Sequence, residues 1–268
     1  MTKVEALKLL DFDVEKKEIF TKDPETKIPD RFAMVRKDTN QIVGVISNRY
    51  KVIPHKDVFT KPLTEFAKLY NIEGTHLINN GGKVVIQLLS KQTTRILDKD
   101  YKLLIHMINS YDGSTSFRLQ IGLYGVASKT IHGMMGQSFV ETRRIHLGVS
   151  DVVVKELVSE TYQTIDRCIP MYTSKLTEYS SKPLMNAYAV PFLEQMGFGK
   201  NSIKNIMKEL HGETLADMYH ALTAFYSSKL THAKSHGQVL VDINTLTGNV
   251  FDSMDKAYSK VNKPVHAI

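Results

Sequence analysis

The spacing of apolar residues changes character once along this chain, and the change limits the folds open to it. Up to about residue 125 the apolar residues form alternating or continuous short runs separated by turn residues. From Asp151 onward they recur every three or four positions. Strands grouped ahead of helices, without regular strand and helix alternation, imply an α+β fold: an antiparallel sheet of hairpins covered on one face by helices.

Turn chemistry places the hairpins. In "RFAMVRKDTNQIVGVISNRYKVI" the polar "KDTNQ" separates two β-branched runs, and Pro54 closes the pair. "HKDVFTKPLTEFAKLYN" then puts Val58, Leu63, Phe66, Leu69 and Tyr70 at near-helical spacing, with Pro62 expected in the first turn or at a kink. "NNGG", Asn79 to Gly82, supplies the positive φ angles of a tight turn between "THLI" and "KVVIQLLS". A second turn, "SYDGST", lies between the apolar "YKLLIHMIN" and the alternating "TSFRLQIGLYGV". In that last strand Phe117, Leu119, Ile121 and Leu123 share one face. Arg118, Gln120, Gly122 and Tyr124 share the other, which reads as a polar, cationic surface.

The helical part opens with Val154, Val158, Thr161, Ile165, Cys168, Tyr172 and Leu176, one long amphipathic helix with Pro170 as its expected bend. "SSKP" and "GFGKNS" break the helical stretches, and "ETLADMYHALTAFYSSK" forms another. The tail from Gly237 reads as a strandlike run, a turn and a short helix. The organisation is thus a charged arm or short helix over residues 1–30, a β-rich core with one helix over 31–150, and a mainly helical part over 151–268 continuous with that core.

The chemistry sought in the sequence is mostly missing from it. There is no GxxxxGK[ST], no GxGxxG after a strand and no GxSxG, so the common nucleotide-hydrolysing and serine-nucleophile routes have no support. The single cysteine, Cys168, excludes an internal disulfide and a Cys-rich zinc site, and fits helix packing. His232 and His236 have i,i+4 spacing but lack the glutamate of a metalloprotease helix. No catalytic residue, metal or cofactor is therefore assigned. The longest apolar runs fall short of the roughly 20 residues of a membrane helix, and no secretory leader opens the sequence, so a cytoplasmic protein without a membrane partner is expected.

The excess of 35 Lys and Arg over 28 Asp and Glu gives a net charge of +7, which suits a polyanionic partner. The candidate contacts are Arg49 and Lys51 on one strand face, Lys83 after the "NNGG" turn, Arg118 and Gln120 on the polar strand face, and Lys129, Arg143 and Arg144 in the segment leading to the helices. Tyr124 is the candidate stacking platform. Tyr50 and Tyr111 are expected to be core aromatics.

Two hairpin motifs, "DTNQIVGVISNRYKVIPHKDVF" and "NSYDGSTSFRLQIGLYGVASKTIHGM", with the helical continuation through "HALTAFYSSKL", resemble the phage and plasmid-like protein family called domain of unknown function 932. The likeness covers about Phe32 to Leu230. Here "VASKT" stands where the family has a "VCxNT" element, so no role of that cysteine or asparagine carries over. More distantly, the order of strands then helices is similar to the single-strand annealing superfamily of Erf, Bet and Rad recombination proteins. That resemblance implies a non-enzymatic phage or mobile-element protein of the bacterial cytoplasm, which binds and anneals single-stranded DNA and self-associates. Two alternatives stand beside it: a protein-binding module acting on a host protein, and a metal-dependent nuclease using Asp98, Asp100 and Asp112.

Overall fold

The computed structural model describes residues 1–23, 25–50, 52–112, 115, 117–134, 139–141, 150–232 and 236–261. It is an α+β fold with two antiparallel sheets. After a helix α1 (Lys3–Leu9), the strands β1 (Val14–Phe20), β2 (Lys27–Arg36) and β3 (Ile42–Ser47) make the smaller sheet in that order. Of the two alternatives expected at the start of the chain, the short helix is present as α1, and it is followed by strands. Thr2 and Glu5 form a capping box that starts α1, and Ala6 and Leu10 plug into the main core.

Helix α2 (His55–Phe66) connects to the larger sheet, made of β4 (Tyr70–Ile78), β5 (Lys83–Ile96), β6 (Lys99–Ser110), β7 (Arg118–Gly125) and β8 (Ile131–Gly133) in that order. A short β9 (Phe139–Glu141) also pairs with β7. Pro62 lies well inside α2 rather than in its first turn, and it is buried with Val58, Phe59, Leu63 and Phe66. Leu69 is exposed, and Tyr70 already belongs to β4. The "NNGG" turn behaves as its residues require: Asn79, Asn80 and Gly81 take φ of 50°, 57° and 94°. β6 and β7 pair antiparallel from Ile108 opposite Arg118, so the "SYDGST" stretch does join a hairpin, with Thr115 N–H donating to Ser110 Oγ at 3.0 Å.

The helical part contains α3 (Asp151–Ser180), α4 (Asn186–Gln195), α5 (Lys200–Glu209), α6 (Leu215–Ser228), α7 (His236–Gly248) and α8 (Val250–Val261). The predicted stripe of α3 is its buried face, and Cys168 is a buried free thiol within it. The main core joins one face of the larger sheet, through Ile86, Ile105, Met107, Leu119 and Ile121, to helices α2, α3, α4, α6 and α8. Burying each such side chain contributes about 1.5–3 kcal/mol.

The tail departs from the sequence reading. "GQVLVDINTLTG" is the helix α7, not a strand. Its Leu240, Val241 and Ile243 lie on Leu89, Leu104, Ile131, Val85 and Ile108, the second face of the larger sheet. That sheet is consequently covered on both faces. The close approach depends on glycine: a Cβ at Gly133 would stand 2.0 Å from Asn244 O, and one at Gly122 would stand 2.9 Å from Asn244 Oδ1.

Candidate nucleic-acid interface

Lys83 opens β5 opposite Ser110, and Arg118 opens β7 opposite Ile108, so both sit at the same end of the larger sheet. Their neighbours Val84 and Leu119 point into the main core, which turns Lys83 and Arg118 toward the α7 side. There Lys83 Nζ donates to Gln238 Oε1 at 3.1 Å, and Gln238 in turn donates to Asp242 at 2.7 Å. Burial pulls the Lys83 pKa below its ordinary value and the Arg118 charge pulls it the same way, while Asp112 and Asp242 act against both. The two cations thus share one electrostatic environment, partly offset by two carboxylates.

Arg49 is exposed on the turn after β3. The next residue fastens that turn to the same end of the larger sheet: Tyr50 OH donates to Ser110 O at 2.9 Å. Lys16 on β1 holds the turn from below, with Nζ donating to Asn48 O at 3.1 Å and Tyr50 O at 2.7 Å. Lys16 is absent from the sequence-derived set because its charged surroundings read as an arm. The alternation of Val14, Lys16 and Glu18 with Glu15 and Lys17 carries too little apolar signal to mark a strand.

Beneath this rim His55, the first residue of α2, fastens that helix to the end of the larger sheet. Its Nε2 lies 3.0 Å from Gly81 O, which can only accept, so Nε2 carries the proton and Nδ1 accepts from Asn109 Nδ2 at 2.9 Å. The His55 backbone N–H donates to Tyr111 OH at 2.8 Å, and the two rings are 3.8 Å apart. Burial lowers the His55 pKa to about 4. Tyr111 is buried and Tyr50 half-buried, as expected of core aromatics.

The remaining candidates do not join this group. Gln120 is wholly buried beneath α7, its Nε2 donating to Val241 O at 3.2 Å and Thr245 Oγ1 at 2.9 Å. It is a fastening for that helix, not a surface contact, because the polar face of β7 is covered. Tyr124 is half-buried against the α7 cluster. Lys129 is exposed on the turn after β7, with φ of 54°. β7 spans about 23 Å at roughly 3.3 Å per residue, so Lys129 and Arg118 lie at opposite ends. Lys51, Arg143 and Arg144 lie outside the described residues, as do the side chains of the His232 and His236 pair.

The opposite end of the larger sheet has different chemistry. A cavity of about 400 Å³ opens there between the β5–β6 and β7–β8 turns and helices α5 and α6, with Asp98, Asp100, Ser128, Glu209, His211 and His220 in its lining. Behind it runs a line of hydrogen bonds: Ser128 Oγ to Thr130 Oγ1 at 2.6 Å, Thr130 Oγ1 to His132 Nε2 at 2.6 Å, and His132 Nδ1 to Tyr172 OH at 3.2 Å. Burial holds His132 well below its ordinary pKa, with the nearby His220 and Lys99 acting the same way, so the line is neutral. Asp100 is engaged by Arg95 at 3.3 Å. Asp98 and Asp100 lie at one end of β6 and Asp112 at the other, roughly 36 Å apart along an extended strand, so these three cannot share a metal ion. Among the described residues no group of three His, Cys, Asp or Glu side chains could hold a metal, and no helix is long and apolar enough to cross a membrane. Compared with protein-family models, curated proteins and solved structures, the chain matches none.

Proposed function

We propose that the chain binds single-stranded nucleic acid through its phosphate backbone, without catalysing a reaction, as a DNA-pairing protein of a phage or mobile element. The observation that carries this reading is the placement of Lys83 and Arg118 on one face at one sheet end, beside the exposed Arg49 turn that Lys16 and Tyr50 hold in place. The net charge of +7 supports it, since phosphate neutralisation dominates affinity for nucleic acid. The resemblance of the hairpin motifs to the phage and plasmid-like family agrees with it. The neutral hydrogen-bond line and the divided aspartates offer no competing reaction.

Fluorescence anisotropy of labelled single- and double-stranded oligonucleotides over a salt series tests the proposal. The wild type is expected to prefer single strands and to lose affinity steeply as salt rises. An Arg49→Gln, Arg118→Gln variant, shown by circular dichroism to be folded, should bind about tenfold more weakly and with a shallower salt dependence, by roughly 0.7 for each phosphate no longer neutralised. Absence of binding by the wild type at low salt refutes the proposal.

A further inference from the structure

Helix α5 carries Lys200, Lys204 and Lys208. Four residues advance an α-helix by little more than one turn, so the three side chains form a single row about 12 Å long. Ile203 and Ile206 on the other side are buried, while the three lysines are exposed. Elsewhere Lys56, Lys61, Lys68 and Lys182 each find a carboxylate. The row on α5 forms no ion pair among the described residues. Lys200 moreover stands in the first turn, where the helix dipole disfavours a cation. Lys208, in the last turn, is favoured by the same dipole, but for Lys200 and Lys204 no compensating partner is seen among the described residues.

The row starts beside aromatic rings. Phe198, two residues before it, lies 6.1 Å from Phe225 and 6.2 Å from Tyr226, ring to ring, and Lys229 Nζ stands 5.3 Å and 5.0 Å from the same two rings. All three aromatics are half-buried, leaving part of each accessible, and Lys229 is exposed.

We propose that this α5–α6 surface is a second contact for single-stranded nucleic acid, with Lys200, Lys204, Lys208 and Lys229 on phosphates and the edge of the Phe198, Phe225 and Tyr226 cluster against bases. The proposal rests on the function proposed above and adds a separate location to it. Cations in a row beside aromatic faces are the arrangement that holds a strand irrespective of its sequence. A membrane surface fits less well. A helix lying on a bilayer needs a free apolar face, and that of α5 is turned into the protein. The C-terminal end of α5 borders the cavity at the end of the larger sheet remote from Lys83 and Arg118. A strand on both contacts therefore runs the length of the sheet, more than about 20 Å.

The test uses the full chain, a fluorescein-labelled oligothymidylate and vesicles containing phosphatidylserine. A Lys200→Gln, Lys204→Gln, Lys208→Gln variant should bind the oligonucleotide more than tenfold more weakly at low salt. Its log K against log salt slope should be smaller by about 2, the share of three single-strand phosphate contacts. The corresponding Lys→Arg variant should bind as the wild type does, which separates charge from fold. If the Gln variant keeps wild-type affinity and slope while the Arg49, Arg118 variant is weakened in both, this second contact is overturned and the proposed function stands. If the wild type binds no oligonucleotide, both fail. Binding of the wild type to the vesicles alone, abolished in the Gln variant, overturns the nucleic-acid assignment in favour of an anionic membrane.

Discussion

The two sheets share an antiparallel, hairpin-built design and differ in what lies on their second faces. In the smaller sheet, the face bearing Lys17, Ala33 and Val45 is open on its outer strands, though Ala33 between them is buried: Val45 is 50% exposed, and Lys17 pairs with Glu15 at the surface. In the larger sheet the corresponding polar face of β7 is sealed by α7, and Gln120 directs its hydrogen bonds to that helix. Alternation of polar and apolar residues therefore does not by itself tell solvent from a second buried layer. What distinguishes the two sheets is the presence of glycine where a helix backbone must approach a strand, at Gly122 and Gly133.

The largest effect separating the two regions should be acid sensitivity. His106 lies under α7 and His55 at the junction of the sheets, and burial lowers both pKa values from 6.5 to about 4. Above pH 6.5 both histidines are neutral whether the chain is folded or not, and the stability is fully present. Below 6.5 the unfolded chain takes up protons that the folded chain resists, so stability falls with pH until about pH 4. Each histidine contributes up to about 1.4 kcal/mol per pH unit across that window. Urea midpoints measured at descending pH should fall accordingly, and His106→Gln should flatten the curve by one histidine's share. A midpoint independent of pH over this window would contradict the assignment of these histidines as buried and neutral.

Next in size is the contact of α7 with the sheet. Gly133→Ala places a methyl group against the backbone at Asn244 and Gly248, which cannot move without lifting the helix. A loss of about 3 kcal/mol or more is expected in urea denaturation. Val45→Ala on the open face of the smaller sheet should stay within about 0.5 kcal/mol. The smallest contrast concerns single polar groups: Gln120→Ala should cost about 1–3 kcal/mol by removing buried hydrogen bonds. Lys17→Gln should leave the midpoint unchanged. Equal losses from Gln120→Ala and Lys17→Gln would erase the distinction between the sheets.

Most of the fold was legible because local chemistry agreed with it. Asn79, Asn80 and Gly81 adopt the positive φ their side chains tolerate, and the apolar stripe of α3 is long enough to be unambiguous. The most consequential exception is α7, where Val239, Leu240, Val241 and Ile243 look like a strand when propensity is weighed alone. The buried set Gly237, Leu240, Val241, Asn244 and Thr247 has helical spacing, but two of its members are polar and one is glycine, so hydrophobicity hides the period. That one misreading propagates to the candidate site. With α7 taken as a strand, nothing covers β7, and Gln120 appears to face solvent. Arg118, at the strand's end, is half-buried, with its Nε out of contact with solvent, so it is less open than the alternation implies. Lys16 was hidden for the opposite reason, being a cation in a strand whose middle, Glu15 to Glu18, carries no apolar residue.

The lateness of α7 in the chain also bears on how the protein is made. The apolar residues it covers, Val85, Leu104, Ile108 and Ile131, are synthesised long before Leu240 and Val241. At about 5–20 residues per second, a ribosome needs several seconds to pass from the last strand to the helix that seals it. Throughout that interval a nearly finished sheet shows an unsealed apolar face to its surroundings. Contacts this distant in sequence also slow spontaneous refolding. A chain stalled before α7 emerges is thus a natural client for a chaperone.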